Sequence, residues 1–180
     1  GVSPWTKRWL VWVQCEAVLR DEDRWIMDQH LETLDFFKQK IIEVEAQLKQ
    51  SSKDDAVVEA LLSLTGVGLV TALTLRAEIG RFDRFLTGKQ LSRYCGVTPR
   101  NASSGQRQAD AGLIRAGNPQ LRRVLIELSH RLINRPNGRW YALAAKLMRR
   151  GKKKNVVVAA VANRWVRWLH HQMQPEALAA

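Results

Sequence analysis

The amino-acid sequence predicts an all-α fold, with a long heptad helix followed by a compact helical domain. Apolar residues recur at helical spacing along most of the chain, and no segment shows the alternation typical of a strand-rich protein. The 180 residues are enough for one or two domains with a real core. We expect a helical linker and coiled coil over 1–52, a main domain over 53–174 and a tail over 175–180.

The first long helix is predicted from a heptad pattern. A polar run over 51–55 ends this pattern and indicates a domain boundary. The pattern suits either self-association or an amphipathic helix packed on its own domain. The seven-residue repeat comprises Met27, Leu34, Ile41 and Leu48, with His30, Phe37 and Val44 at the intervening positions.

A glycine hairpin between two helices is predicted over about 58–80. Apolar residues lead into Thr65-Gly66-Val67-Gly68, and a second helical pattern then runs to Gly80. Two glycines let the backbone approach a phosphate, and the amides that start the second helix favour an anion. The pattern resembles the helix-hairpin-helix motif, which binds DNA backbones without reading sequence, although a glycine pair is also ordinary turn chemistry.

The next elements are marked by capping residues. Thr87 is expected to cap a short helix through Tyr94, and an irregular loop is expected over about 96–117. Asn118-Pro119 is typical of a helix start, with proline at the first helical position. Leu121, Val124, Leu125, Leu128 and Leu132 form the apolar face of that helix, with Arg122 and Arg123 at its edge.

Two further helices complete the prediction. Pro136-Asn137-Gly138 breaks the preceding helix, and another runs from Trp140 to Met148. The basic run that follows suits a phosphate-contacting turn, or it is simply solvated. A last helix is expected from Val156 to about Met173. The lysines of the run are Lys152, Lys153 and Lys154.

The charge distribution predicts which half binds nucleic acid. Residues 1–80 carry 9 Lys/Arg and 13 Asp/Glu, whereas residues 81–180 carry 20 and 4. Most basic residues of the second half are arginines, whose guanidinium groups suit bidentate contact with phosphate. This favours a nucleic-acid-binding surface over a merely solvated one. We therefore expect DNA or RNA as the partner.

The remaining composition points to a cytoplasmic protein without a metal or cofactor. Cys15 and Cys95 form no metal-ligand or redox spacing, and no stretch reaches the ~18–20 apolar residues of a membrane span. No membrane partner is expected. The chain begins at Gly1 rather than methionine, which hints at a fragment or a cleaved tag.

Two serines in the predicted loop are candidate nucleophiles. Attack on a phosphodiester requires loss of the hydroxyl proton and stabilisation of charge on the phosphate. Ser-Ser-Gly in a loop also has an ordinary turn explanation. The serines are Ser103 and Ser104, the flanking arginines are Arg100 and Arg107, and Arg115, Arg122 and Arg123 lie near in sequence.

The order of these motifs closely resembles the transposase domain of the IS-one-ten family of bacterial insertion-sequence transposases. The matching pieces are the hairpin glycines, Gly96-Val97-Thr98-Pro99-Arg100, Ser103-Ser104-Gly105, and Gly117-Asn118-Pro119 with Arg122-Arg123. The segment from Trp5 to Leu10 and the heptad helix look similar to the family's linker and coiled coil. The resemblance covers nearly the whole chain.

This resemblance implies a serine-type DNA recombinase that is directed by a structured guide RNA and acts as a homodimer or higher homo-oligomer on the bacterial nucleoid. The family motif places the nucleophile on Ser103, with Ser104 as the alternative. It also implies a separate N-terminal nuclease-like domain whose carboxylates bind a divalent metal such as Mg²⁺. Two other hypotheses remain open: a non-catalytic nucleic-acid-binding and dimerisation module, and an oligomerisation scaffold. The predicted nucleic-acid-binding residues are Thr65, Gly66, Val67, Gly68, Arg100, Arg107, Arg115, Asn118, Arg122, Arg123, Lys152, Lys153 and Lys154.

Overall fold

The structure, a computed structural model, describes residues 2–101, 110–114 and 116–174. Within these residues it confirms the all-α prediction, with eight α-helices, a short 3-10 turn and one two-stranded ribbon. The chain divides into two compact units, residues 1–50 and 51–180, which are described separately. None of the described helices combines the length and apolar character that a membrane span requires.

The first unit contains α1 (Lys7–Cys15) and all but the last residue of α2 (Asp21–Ser51). Thr6 caps α1 by accepting a hydrogen bond from the amide of Trp9. The Arg24 guanidinium of α2 donates to the carbonyls of Val13 and Ala17, at 2.7 and 2.6 Å. These bonds use carbonyls at and just beyond the end of α1, and therefore fix the corner between the helices.

Helix α2 spans the predicted heptad and buries none of its 31 residues. The side chains of Phe37 and Ile41 are each 57% exposed, and Val44 and Leu48 are exposed too. A helix with an apolar seam normally buries that seam against another element. The heptad face of α2 is therefore an apolar surface that the first unit itself does not cover.

The second unit is built around its last helix. The buried residues of this helix include Trp165, Val161 and Leu169, and it packs against three other helices of the unit. The elements in order are α3 (Ala56–Ser63), α4 (Leu69–Ile79), a 3-10 turn (Phe82–Arg84), α5 (Gly88–Tyr94), β1 (Pro99–Asn101), β2 (Asp110–Leu113), α6 (Pro119–Ile133), α7 (Arg139–Arg149) and α8 (Lys154–Gln172).

The predicted starts of α5 and α6 and the end of α4 are confirmed, whereas α8 begins at Lys154, two residues before the predicted start. Thr87 caps α5 through the amide of Gln90, and Asn118 caps α6 through the amides of Gln120 and Leu121. Gly80 ends α4 with a φ of 67°, a conformation that favours glycine. The predicted apolar face of α6 is buried along its length.

The loop predicted over about 96–117 contains regular structure, which corrects the expectation of a wholly irregular segment. Strands β1 and β2 pair antiparallel, with Pro99 opposite Leu113 and Asn101 opposite Asp110, and the register is irregular between these pairs. Strands of three and four residues are too short for apolar alternation to show in sequence. Residues 102–109, which connect the strands, lie outside the described residues.

Candidate nucleic-acid interface

The two glycines of the hairpin have different surroundings. Gly66 has a φ of +84°, and a Cβ built there would lie 3.0 Å from Leu132 Cδ2 and 3.3 Å from Leu128 Cδ1. Gly68 has an ordinary extended backbone, and no atom lies within 4 Å of its Cβ position. Gly66 therefore serves the turn and its packing on α6, whereas Gly68 leaves open space at the start of α4.

The first turn of α4 presents its backbone amides beside open space. Gly68 is its N-cap and provides no side-chain cap, so the first-turn amides lack that partner. No acidic residue lies in the first turn. The exposed Arg131 of α6 donates from Nη2 to Thr71 Oγ1 at 3.3 Å, which places a guanidinium beside this turn. Open space, amides and a cation together suit a backbone phosphate.

An ion pair links the two helices of the hairpin at the ends that lie away from the turn. Asp55 caps α3 through the amides of Val57 and Val58, and its Oδ2 accepts a 2.7 Å bond from Arg76 of α4. Burial acts to raise the pKa of Asp55, but the hydrogen bonds from Arg76 and the two amides outweigh it and hold the pKa below its ordinary value. Arg76 also donates to the Gly80 carbonyl. The two hairpin helices are thus linked by charge.

The two ends of the segment 96–117 meet closely. A Cβ built on Gly117 would lie 2.6 Å from the Cα of Gly96 and 2.7 Å from its nitrogen. The Arg122 guanidinium donates to the carbonyls of Gly96 and Ile114, at 3.0 and 3.2 Å. The Ile114 amide in turn donates to the Thr98 carbonyl. The base of the ribbon is therefore fixed on both sides by α6.

A buried polar network anchors the approach to β1. The Nδ2 group of Asn163 on α8 donates to Ser92 Oγ at 2.6 Å and to the Val97 carbonyl at 3.2 Å. The Ser92 hydroxyl also shares a 2.8 Å hydrogen bond with that of Thr98. Buried hydroxyls and amides are costly without partners, so this network favours one position for the residues that enter β1.

Several predicted phosphate-binding side chains are engaged within the fold. Arg122 holds the ribbon, as described above. Asn118 uses its oxygen to cap α6 and its Nδ2 to donate to the Glu78 carboxylate. Val67 packs in the core, whereas Thr65 is exposed in the turn. Through these contacts Asn118 and Arg122 are suited to positioning the start of α6 and the base of the ribbon, rather than to binding phosphate directly.

Other predicted cations are exposed. Arg100 lies on β1 and Arg123 on the solvent side of α6. The lysines 152–154 lie at the start of α8, where no acidic residue occupies the first turn and no side chain caps the helix. Cations at the positive end of a helix are unfavourable unless an anion is near, so this turn also suits phosphate. Ser103, Ser104, Arg107 and Arg115 lie outside the described residues.

Sequence reasoning missed three contributors. Arg131 and Asn163 are brought to the interface only by packing between helices distant in sequence, and no local signal marks them. Asp55 does carry a signal, since an aspartate directly before an apolar helical run is a typical N-cap. Within the described residues no cluster of three or more His, Cys, Asp or Glu side chains suits a metal ion.

Comparison with known proteins finds a family match within the second unit. Residues 58–145, from the hairpin through the ribbon and α6 to most of α7, match the family described as Transposase IS116/IS110/IS902 family. The chain is therefore similar to that family over just under half of its length. This match supports the family resemblance predicted from the motif order.

Similarity to individual transposases extends beyond the residues of this match. The transposase for insertion sequence element IS1111A of Coxiella burnetii is 30% identical over 172 residues, which cover 93% of this chain and 43% of that protein. A probable family 20 transposase of Pseudomonas aeruginosa is 31% identical over 134 residues, 72% of this chain and 39% of the relative. The putative transposase y4qE of Sinorhizobium fredii is 32% identical over 127 residues, 71% and 30% respectively. The chain thus spans less than half the length of these relatives.

Proposed function

We propose that this chain is the DNA-handling part of a transposase that moves an insertion sequence by serine attack on a DNA phosphodiester. The observation that carries the proposal is the family match over residues 58–145, which includes the hairpin, the ribbon and α6. The cation-rich second half and the open start of α4 support it, since both suit a phosphate backbone.

The register of the family motif assigns Ser103 as nucleophile, with Ser104 as the alternative. The serine hydroxyl gives up its proton and an Oγ–P bond forms. The P–O bond to one deoxyribose oxygen breaks, and this oxygen takes up a proton and leaves as a hydroxyl group. The reverse reaction with another strand's hydroxyl rejoins DNA. Because the phosphoester is conserved in the adduct, no nucleotide cofactor is consumed. Arg100, exposed on the strand that leads into this segment, is the described cation nearest in sequence to stabilise the phosphate charge.

The partners follow from the same proposal. DNA binds at the hairpin, and a structured guide RNA directs the reaction by base pairing, so the protein need not read sequence itself. A nuclease-like domain beyond these residues supplies the metal-dependent part of a composite active site. The enzyme acts on the nucleoid in the bacterial cytoplasm. In isolation the chain is expected to bind nucleic acid and to recombine little or nothing.

Covalent capture of DNA tests the serine mechanism. The assay combines the chain with its nuclease-like domain, guide RNA and a nicked DNA, and detects the protein–DNA adduct on a denaturing gel. Loss of the adduct in Ser103→Ala alone supports Ser103, and loss in Ser104→Ala alone moves the nucleophile by one residue. If wild type forms no adduct while salt-sensitive binding persists, the chain is a non-catalytic binding module instead.

Self-association through α2 is a separate part of the proposal. Ile41 lies on the heptad seam and is 57% exposed, whereas Gln39 lies on the opposite side of the same helix. Ile41→Asp is expected to shift the chain from dimer or higher oligomer to monomer in light scattering, and Gln39→Asp is the matched control. Equal masses for both variants and wild type would contradict a seam-mediated assembly.

A further inference from the structure

A cavity of about 700 Å³ lies in the second unit, lined by the β1–β2 ribbon, α6 and α8. Its lining includes no residue of the hairpin, and on α8 it begins at Asn155, directly after the basic run. Pockets of this volume commonly hold small organic molecules. Its apolar lining is contributed by Pro99, Leu113, Ile126, Val156, Ala159 and Ala160.

The polar residues of the cavity are cationic or neutral. Arg100 comes from the ribbon, Arg164 and Arg167 come from α8, and His130 comes from α6. The three arginines are exposed, and the described residues that line the cavity include no aspartate or glutamate. An apolar interior with arginines and no acids favours a ligand that has both a flat apolar part and a phosphate.

Asn163 gives the cavity a fixed hydrogen-bond acceptor. The Val97 carbonyl can only accept, so the group that faces it must be the Asn163 amide nitrogen, and this nitrogen also donates to Ser92. With Nδ2 engaged, the polar atom that Asn163 offers to the cavity is its amide oxygen. A nucleobase carries N–H donors on its pairing edge, which match such an acceptor.

We propose that this cavity binds a single unpaired nucleotide, with the base on the apolar surface and the phosphate on the arginines. This inference rests on the proposed function and adds a subsite to it. A paired base has its edge occupied and its faces stacked, so the ligand must be extrahelical or single-stranded. The Asn163 oxygen accepts from the base, and Arg164 and Arg167, three residues apart on α8, face the same phosphate.

The test measures how much binding depends on the base itself. Fluorescence anisotropy of this chain compares three duplexes: fully paired, with a one-nucleotide adenine bulge, and with the same bulge made abasic. Wild type is expected to bind the adenine bulge at least about fivefold tighter than the abasic one, because the adenine buries apolar surface in the cavity and the abasic site has no base to bury. A 2-aminopurine bulge reports directly, because its fluorescence changes when the base leaves water.

Three variants test whether the preference for the adenine bulge arises in the cavity. Ala160→Phe fills the cavity and is expected to bring the adenine-to-abasic ratio close to one, with the paired duplex bound as in wild type. Arg164→Gln leaves the packing intact and should reduce the ratio at least twofold. Arg150→Gln, an exposed arginine outside the cavity, is the charge-matched control and should weaken all probes alike. Thermal melting confirms that each variant is folded.

The outcomes separate this inference from the proposed function. A wild-type ratio of one, or a ratio that Ala160→Phe and Arg164→Gln leave unchanged, would overturn the nucleotide subsite alone. Failure to bind any of the duplexes would overturn the proposed function as well. The bulge series is then repeated with RNA duplexes. A larger adenine-to-abasic ratio in DNA assigns the bound nucleotide to the recombining strand, and a larger ratio in RNA assigns it to the guide.

Discussion

Replacing Gly66 by alanine should destabilise the second unit without touching a charged group. The φ of +84° costs an L-residue about 1–2 kcal/mol. The new Cβ would meet Leu132 Cδ2 at 3.0 Å and Leu128 Cδ1 at 3.3 Å, and because these are side-chain ends the overpacking should stay near 1 kcal/mol. Alanine lowers the entropy of the unfolded chain and returns about 0.4–1 kcal/mol. The net loss is about 2 kcal/mol.

Gly68→Ala is the matched control, because it changes the same residue type two positions away. Its backbone is extended and no atom lies within 4 Å of the new Cβ. Alanine is a poorer N-cap than glycine by about 0.5–1 kcal/mol, which the loss of unfolded-state entropy offsets. Its methyl does, however, occupy the space at the start of α4. We expect wild-type stability and duplex binding weakened by about threefold to tenfold.

The two variants are compared by urea unfolding, followed by tryptophan fluorescence, and by duplex binding at fixed low salt. Gly66→Ala should lower the free energy of unfolding by about 2 kcal/mol, or the melting temperature by several degrees. An unchanged unfolding midpoint for Gly66→Ala would refute the packing argument. Wild-type duplex affinity for Gly68→Ala would refute phosphate binding at the start of α4.

Three further predictions test the packing and the ion pair that hold the candidate interface in place. Gly117→Ala forces a Cβ to 2.6 Å from facing backbone that cannot rotate away, and should lower stability by at least about 2 kcal/mol in urea, so a neutral effect would contradict the close contact. Asp55→Asn keeps the cap but loses the ion pair with Arg76, about 1 kcal/mol at pH 7. Since the pKa of Asp55 is lowered on folding, the stability difference from wild type should begin to shrink as pH falls below the ordinary value of 3.8 and be lost once pH falls below the pKa of the folded state. Burial raises the pKa of the Cys95 thiol to about 12, so a thiol reagent at pH 8 should modify exposed Cys15 alone until the chain unfolds.

The helix boundaries were predictable because their signals are local. Thr87 and Asn118 each cap with an oxygen that reaches an amide two or three residues away. The ribbon was not predictable in the same way, because its strands pair across a segment of eight residues and are too short to show a period. Their pairing depends on the contact between Gly96 and Gly117 and on Arg122, which are set by the packing of α6.

The candidate site was predictable in position but less so in the role of each residue. The hairpin lies where the glycines predict it, yet only the packing shows that Gly66 faces leucines and Gly68 faces open space. Asn118 and Arg122 are predicted to bind nucleic acid, and the contacts that the structure gives them lie within the fold. Side chains that suit an anion also suit backbone carbonyls, and sequence alone does not distinguish the two.

The last turns of α6 join the hairpin to the cavity beside the ribbon. Arg131 donates to Thr71 at the start of α4, while the adjacent His130 lines the cavity together with Ile126. Neighbouring residues on a helix point about 100° apart, so the two features lie on different faces of one helix. The proposed phosphate contact and the proposed nucleotide subsite therefore share α6, and this one helix would set the spacing between them.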